Sequence, residues 1–244
     1  MHKPNINNLS GAERQELARL IRQYATPEVV RRHWEAVNAG VHDSPTGFLS
    51  FHRNYIEGLE GYLTAQGHSN WVPLPVWNPV DPIPEEFNIP GTGLERLRNL
   101  NPGISFSPRF NLPNLVSFQT DADLGTALMP PHNRVHNRVG GVMNNLRRAP
   151  EAPIFWPWHS FIDDIWWTWQ RQTVIVPDCI GMRLSRARTF LESVGLIVGR
   201  LTSVPSRRRT PWPPQDRLFV REQSPEPGVR ATRGTAVNLG LSPT

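Results

Sequence analysis

Apolar side chains recur every three or four positions in the first part of the chain, which is the period of an amphipathic helix. Ser10 and Glu13 stand at capping-box spacing at the start of the first such segment. Thr26 and Pro27 predict a second helix with proline in its first turn. The apolar stripe of this second helix includes His33, so we expect this histidine to point into the core.

A third helix is predicted over residues 48–63, where aromatic and aliphatic side chains share one face with His52. Residues 71–93 contain six prolines and therefore cannot form a regular helix. Residues 94–131 are also predicted to be irregular, and further prolines interrupt them. Long Pro-rich loops should therefore connect the helices of this part of the chain.

Five of the nine tryptophans lie within fourteen residues, between Trp156 and Trp169. This aromatic run contains His159 and predicts another helix, with Trp166 and Trp169 three positions apart on its inner face. The plainest interpretation of the run is the core of a helical bundle.

The pattern changes at Thr173, where short strand candidates alternate with one helix. Gly195 predicts the end of that helix, because glycine tolerates the conformation that follows a helix C-terminus. Residues 218–223 and 235–241 are further strand candidates. A small α+β domain is therefore expected after a mainly α-helical one.

We place the boundary near Gln172, which gives domains of residues 1–172 and 173–244. The second domain carries eleven basic and five acidic side chains, although the whole chain has a net charge of only +5. Such a surplus permits contact with an anionic partner. Arg207, Arg208 and Arg209 lie with Trp212 in an insertion that could make this contact, but such runs are more often solvated loops.

Composition narrows the class of protein further. The only cysteine, Cys179, excludes an internal disulfide bond. The N-terminal residues lack the apolar core of a signal peptide, and no apolar run approaches the ~20 residues of a membrane helix. We expect a cytoplasmic protein with no membrane span and no nucleic-acid partner, although export together with a partner protein stays open.

Six of the eight histidines form two groups along the sequence. His132 and His136 are four positions apart, so both rings project from one face of a helix, and His159 follows in the aromatic helix. The upstream group consists of His33, His42 and His52. Three neutral imidazoles that converge inside an apolar bundle suit copper, zinc or iron.

The remaining histidines, His2 and His68, lie in polar segments, and we interpret both as solvated. His68 is the competitor of His33 for a place in the upstream group.

The segment around the second group resembles the second copper motif of the tyrosinase family, whose members have a dinuclear type-3 copper site. The matching residues are His132, Asn133, His136, Val139, Gly140, Gly141, Pro153, Phe155, Trp156, His159, Asp163, Trp166 and Trp169. Three positions depart from the family pattern. Ala152 replaces an aspartate, Trp158 replaces the first histidine of a pair, and Asp164 replaces an arginine.

Residues 48–60 resemble the first copper motif of the same family. The matching residues are Phe48, Leu49, His52, Arg53, Tyr55 and Glu60. The resemblance implies a four-helix bundle that holds two copper ions. It implies His33, His42 and His52 as the ligands of one ion, and His132, His136 and His159 as the ligands of the other.

The resemblance implies an oxidoreductase with dioxygen as co-substrate. Such an enzyme hydroxylates monophenols or oxidises o-diphenols to o-quinones, as tyrosinases and catechol oxidases do. The alternative is a non-catalytic dioxygen- or copper-binding protein of the hemocyanin type, which the departures at Ala152 and Trp158 leave open. The short chain favours the enzyme, because hemocyanins usually form large assemblies.

The same resemblance suggests catalytic residues. Asn133 would orient a water molecule that deprotonates the phenol, together with an upstream acid for which Asp123 is the candidate. A polar residue at a helix start and a solvated loop carboxylate are the plain alternatives for these two.

Trp158 and Asn137 are the candidates for the substrate pocket, and Trp158 is alternatively part of the core. Asp163 could fix the ring of His159 or pair with Arg53.

Nearly all of residues 174–242 resemble a PASTA domain. The matching residues are Val176, Pro177, Asp178, Gly181, Met182, Ala187, Leu191, Gly195, Leu196, Val198, Gly199, Gln223, Ser224, Pro225, Pro227, Gly228, Arg233, Gly234 and Thr235. The resemblance suggests recognition of peptidoglycan or another anionic partner. A lid over the bundle and self-association are the other roles left open.

Overall fold

The structure is a computed structural model that describes residues 3–91, 93–204, 214 and 217–243. It divides into two compact units, one of residues 1–110 and 120–168, the other of residues 111–119 and 169–244. The domain boundary near Gln172 stays a prediction.

The first unit is built from helices: α1 (Gly11–Tyr24), α2 (Pro27–Asn38), α3 (Pro45–Ala65), α4 (Asp121–Val139) and α5 (Phe155–Gln172), the last of which continues into the second unit. The predicted capping box of Ser10 and Glu13 is confirmed, because each side chain accepts a hydrogen bond from the other residue's main-chain N–H. Thr26 caps α2 and Pro27 occupies its first turn, as predicted.

The start of α4 corrects one expectation. Residues 94–131 are not irregular throughout, because α4 begins at Asp121 with a capping box formed by Thr120 and Asp123. Pro130 and Pro131 lie inside this helix, where each removes a main-chain donor. The apolar face of α4 is buried at Leu124, Leu128, Val135 and Val139, and this burial outweighs the local cost of the two prolines.

Aromatic side chains fill the core of the first unit. Trp77, from the Pro-rich segment, and Trp156 and Trp158, from α5, are completely buried. The ring of Tyr55 stacks on that of Trp156, with centroids 4.7 Å apart. Residues 71–93 form short 3-10 turns and extended segments rather than a helix, as their prolines predict.

The second unit is the α+β part of the chain. Its elements are β1 (Thr173–Ile175), α6 (Leu184–Ser193), β2 (Ile197–Ser203), β3 (Leu218–Ser224), β4 (Arg230–Thr232) and β5 (Ala236–Pro243). β1 pairs with β4 in antiparallel fashion, while β5 lies between β2 and β3. Gly195 has a φ of 82° just after α6, as its role at the helix end predicts, whereas β4 was not predicted.

Two predictions fall on residues outside the described ranges. These are the basic insertion at Arg207–Arg209 with Trp212, and the solvated position of His2. Among the described helices, none combines the length and the apolar character that crossing a bilayer requires.

Candidate metal centre

The six histidines of the two sequence groups lie together inside the first unit. His33 is on α2, His42 is in a 3-10 turn (Val41–Asp43), and the others are on α3, α4 and α5. All are buried except His42, which is half-buried. Helical spacing explains the placement, because each helical histidine falls on the inward face of its helix.

Their ring nitrogens converge in two overlapping sets. Nitrogens of His33, His42 and His52 lie within 4.8 Å of one another, as do those of His52, His132 and His159. The Nε2 atom of His132 lies 2.9 Å from that of His159 and 3.1 Å from that of His136. The structure thus places all six candidate ligands in one continuous cluster.

The Nδ1 atoms of five of these rings face oxygen acceptors. Four face main-chain carbonyl oxygens. The Nδ1 atom of His33 lies 3.2 Å from the oxygen of Leu146. Those of His52, His136 and His159 each lie 2.7 Å from such an oxygen, which belongs to Phe48, Met143 and Phe155 in turn. The fifth, on His132, lies 3.0 Å from Oδ1 of Asn133. A carbonyl oxygen can only accept, so each Nδ1 carries the hydrogen and the neutral ring presents a lone pair at Nε2.

Burial keeps these rings neutral. It lowers the pKa of His33 to about 3 and that of His136 to about 4. Burial also holds the pKa values of His52, His132 and His159 well below their ordinary value. At neutral pH these five rings are therefore neutral imidazoles with unprotonated Nε2 atoms.

This arrangement fits a bound cation. The Nε2 atoms of His132, His136 and His159 cannot donate to one another, although they lie 2.9 and 3.1 Å apart in pairs. The Nε2 atoms of His33, His42 and His52 are buried and have no hydrogen-bond partner. Buried lone pairs that face each other are costly unless a positive charge lies between them, and neutral imidazole nitrogen is a preferred ligand of copper and zinc.

A cavity of about 430 Å³ opens onto the cluster. Its lining consists of Val37, His42, Asp43, His132, Asn133, His136, Asn137, Met143, Asn144 and Leu146. The cavity is large enough for a small aromatic molecule, and three of the candidate ligands form part of its wall.

Asn133 and Asn137 lie on the cavity side of α4, one turn apart. Asn133 is in the middle of α4 and not at a helix start, because the helix begins twelve residues earlier than this position. Its side-chain oxygen orients His132, which is a role that the sequence did not predict.

Asp123 is not at the cluster, which corrects its assignment as a catalytic acid. Its carboxylate accepts the main-chain N–H of Thr120 at the exposed start of α4. Nine residues of helix separate it from His132, a rise of roughly 13 Å at 1.5 Å per residue. The position of Asp123 agrees better with the alternative of a solvated carboxylate. This carboxylate caps a helix, however, and does not lie in a loop.

Trp158 is completely buried and does not line the cavity, so its position agrees with the core alternative and not with the substrate pocket. Its ring is nearly parallel to that of His132, with centroids 6.1 Å apart. The rings of Trp77 and Phe161 also pack against it, with centroids 6.2 and 5.8 Å away.

Asp163 forms ion pairs with Lys3, at 2.8 Å, and with Arg53, at 2.6 Å. It does not fix His159, whose Nδ1 faces the carbonyl of Phe155. Of the two roles considered for Asp163, the structure therefore places it in the ion pair. Lys3 is a partner that nothing in the sequence indicated.

His68 lies outside the cluster. Its ring stacks on Trp71, with centroids 4.8 Å apart, and its Nε2 lies 3.6 Å from the carboxylate of Glu16. His33, rather than His68, therefore completes the upstream group.

Two family models match the chain. Residues 110–172 match the common central domain of tyrosinase, and residues 174–243 match the PASTA domain. The chain carries a tyrosinase-type segment followed by a PASTA domain. The tyrosinase match contains His132, His136 and His159, whereas the upstream histidines lie outside it and join them only in the folded structure.

Individual relatives are similar over short segments. Tyrosinase-like protein 1 of Margaritifera margaritifera is 34% identical over 88 residues, which are 32% of this chain and 17% of the relative. The tyrosinase of Streptomyces glaucescens is 46% identical over 41 residues, 17% of this chain and 15% of the relative. Hemocyanin 1 of Megathura crenulata is 27% identical over 172 residues, 57% of this chain and 5% of the relative.

The aligned segments thus span only 17%, 15% and 5% of the length of these curated relatives. No solved structure matches the chain significantly. The family matches imply copper as the metal, and the histidine cluster has the donor atoms that copper requires.

Proposed function

We propose that the first unit is a type-3 copper oxidase that uses dioxygen to hydroxylate monophenols or to oxidise o-diphenols to o-quinones. The observation that carries this proposal is the convergence of the ring nitrogens of six imidazoles in one cluster, five of which have the tautomer that leaves Nε2 unprotonated. Enzymes and carriers of this class need two adjacent sites of neutral nitrogen donors, and the two overlapping histidine sets meet that need.

His33, His42 and His52 would hold one copper ion, and His132, His136 and His159 the other. The second set differs by one member from the set whose ring nitrogens lie within 4.8 Å of one another, which has His52 in place of His136. We assign His136 to the second set because its Nε2 lies 3.1 Å from that of His132 and both are on α4. Copper, when bound, supplies the redox chemistry with dioxygen.

The residues of the chain orient the ligands and receive the substrate. Main-chain carbonyls and Asn133 hold five of the rings in the tautomer that leaves Nε2 available. The phenol would enter through the cavity, whose lining includes Asn133, Asn137, Met143 and Leu146. The amides can accept or donate hydrogen bonds, while the apolar side chains contact the ring.

A dioxygen carrier of the hemocyanin type is the second candidate. It is supported by the similarity to hemocyanin 1, which extends over 57% of this chain. The open cavity beside His132 and His136 favours the enzyme, because a carrier needs no space for a substrate.

The deciding experiment combines copper analysis with oxygen uptake on one sample of the full chain. An oxidase should bind two copper ions and consume oxygen with both tyrosine and catechol, or with catechol alone. Two copper ions with reversible oxygen binding and no turnover would identify the carrier. A chain that binds no copper would overturn both.

For residues 173–244 we propose binding to peptidoglycan or another anionic polymer. The PASTA match and the surplus of basic side chains support this role. Co-sedimentation of the full chain with purified peptidoglycan, at low and high salt, tests it. A chain that stays in the supernatant at low salt would favour the lid or self-association instead.

A further inference from the structure

The cavity above the histidine cluster has an uneven distribution of charge. Its apolar lining residues are Val37, Met143 and Leu146, and its polar ones include the amides of Asn133, Asn137 and Asn144. Among the described residues that line the cavity, Asp43 is the single one that carries a formal charge at neutral pH, since the lining histidines are neutral. From the part of the chain that the structure describes, a substrate in this cavity therefore meets one carboxylate and no lysine or arginine.

Asp43 is available to a ligand. It ends the 3-10 turn that carries His42, and its side chain is exposed. Within the described ranges of the chain it takes part in no salt bridge, whereas several other surface carboxylates of this unit, such as Glu28 and Glu95, are paired with arginine. A carboxylate without a cationic partner at the mouth of a pocket can accept one from the ligand.

The basic residues that neighbour the lining residues in sequence do not place a positive charge in the cavity. Arg147 follows Leu146, but its guanidinium lies over the ring of Trp34, 4.5 Å from the centroid, and this pair lines a different cavity. Arg134 and Arg138 are exposed on α4, and neither lines the cavity.

We propose that Asp43 is a specificity-determining residue that selects phenols with a cationic amine side chain over phenols with a carboxylate side chain. The inference rests on the proposed oxidase function. The aromatic ring lies against Met143 and Leu146, the phenolic hydroxyl group points to the histidine cluster, and the ammonium group at the far end of the side chain pairs with Asp43. The amides that line the cavity have no net charge and do not discriminate between the two substrate classes.

The test compares three phenols that differ in one group: tyramine, 3-(4-hydroxyphenyl)propionate and the uncharged p-cresol. The full copper-loaded chain should oxidise tyramine with a higher kcat/KM than the propionate. Asp43→Asn should reduce the ratio of kcat/KM for tyramine to kcat/KM for the propionate about fivefold, as expected for a partly exposed ion pair. The same substitution should leave kcat/KM for p-cresol unchanged. The bound copper affects both proteins equally, so its charge cancels in this comparison.

Glu57→Gln is the matched control. Glu57 is an exposed carboxylate on α3 that does not line the cavity, so this variant makes the same change in net charge elsewhere. It should leave the ratio unchanged. The preference for tyramine should also weaken at high salt, because salt screens exposed charges beyond about 8 Å at physiological ionic strength and closer still at higher salt.

Binding of the unreactive pair phenethylamine and 3-phenylpropionate, measured by calorimetry, gives a readout that does not depend on turnover. Asp43→Asn should weaken the binding of the amine about fivefold and should not weaken the binding of the acid. If all three phenols are turned over and the tyramine-to-propionate ratio of kcat/KM is the same in the wild type and Asp43→Asn, the role of Asp43 is overturned and the oxidase function is not. Absence of turnover with every phenol, together with amine binding that depends on Asp43, would overturn the oxidase alone.

Discussion

Four of the six clustered histidines place their Nδ1 hydrogen on a main-chain carbonyl, but His132 depends on a side chain, Asn133. A main-chain acceptor cannot be removed by substitution, whereas this one can. Asn133 is exposed, so its loss should not disturb the core. His132 is therefore the ligand whose orientation a single substitution can test.

Asn133→Ala should reduce the affinity for copper about tenfold, the lower end of the effect of removing a partner that orients a ligand histidine. Without the amide oxygen, His132 loses the hydrogen bond that keeps Nδ1 protonated and Nε2 directed into the cluster. Competition with a chelator of known affinity measures the change.

Asn137→Ala is the control for this variant, because Asn137 lines the same cavity one turn further along α4 but has no hydrogen bond to a candidate ligand. Its copper affinity should match that of the wild type. Equal losses in both variants would mean that Asn133 acts through the cavity wall and not through His132.

Helix geometry explains how much of the candidate site could be predicted from the sequence. The acceptors of His52 and His159 are the carbonyls of Phe48 and Phe155, each four residues earlier on the same helix, so even these partners could have been predicted. The carbonyls of Met143 and Leu146 come from the irregular segment after α4, and no local signal indicates where such a segment will lie. The capping role of Asp123 was missed because residues 94–131 were expected to be irregular, so no helix start was predicted at Asp121.

At the level of elements, the approach of α4 to the start of α3 positions His132 and His136 opposite His52. Gly125 makes this approach close: a Cβ atom at this position would lie 2.3 Å from the main-chain oxygen of Pro45. The atom it meets belongs to the backbone, so a small rotation of a side chain cannot relieve the clash. The absence of a side chain at Gly125 therefore allows the two helices to pack at this distance.

Gly125→Ala should destabilise the copper-free protein by about 2 kcal/mol, because overpacking at a rigid contact forces the helices apart. Gly61→Ala makes the same chemical change on α3, where a Cβ atom would meet nothing within 4 Å. That control should stabilise the protein by about 0.5–1 kcal/mol, since alanine is the better helix former. Urea unfolding measures the change in the free energy of unfolding for both variants. Stabilisation by both substitutions would show that the helices can separate at Gly125 at little cost.

At the level of the whole molecule, the buried histidines link the stability of the protein to pH. In the unfolded chain each would titrate near 6.5, whereas in the folded protein burial lowers the pKa to about 3 for His33 and about 4 for His136. Between these pKa values and pH 6.5 the unfolded chain binds more protons than the folded protein does. The free energy of unfolding therefore falls as the pH falls, by about 1.4 kcal/mol per pH unit for each buried histidine.

Five histidines at the cluster are buried, so their combined effect over one to two pH units is comparable to the roughly 5–15 kcal/mol that stabilises a typical domain. We expect the copper-free protein to be stable at pH 7 and to unfold cooperatively on acidification between about pH 6.5 and 4. Tryptophan fluorescence follows the transition well, because Trp77, Trp156 and Trp158 are completely buried.

Copper should move this transition to lower pH, since the ion binds the neutral rings of the folded state and competes with protons for them. Zinc, which also prefers imidazole nitrogen, should shift it in the same direction without any redox chemistry, whereas magnesium, which prefers oxygen ligands, should not. A transition that is unaffected by copper and zinc would contradict a metal centre at these histidines. A free energy of unfolding that stays constant from pH 7 to 5 would contradict the buried, neutral state of the rings.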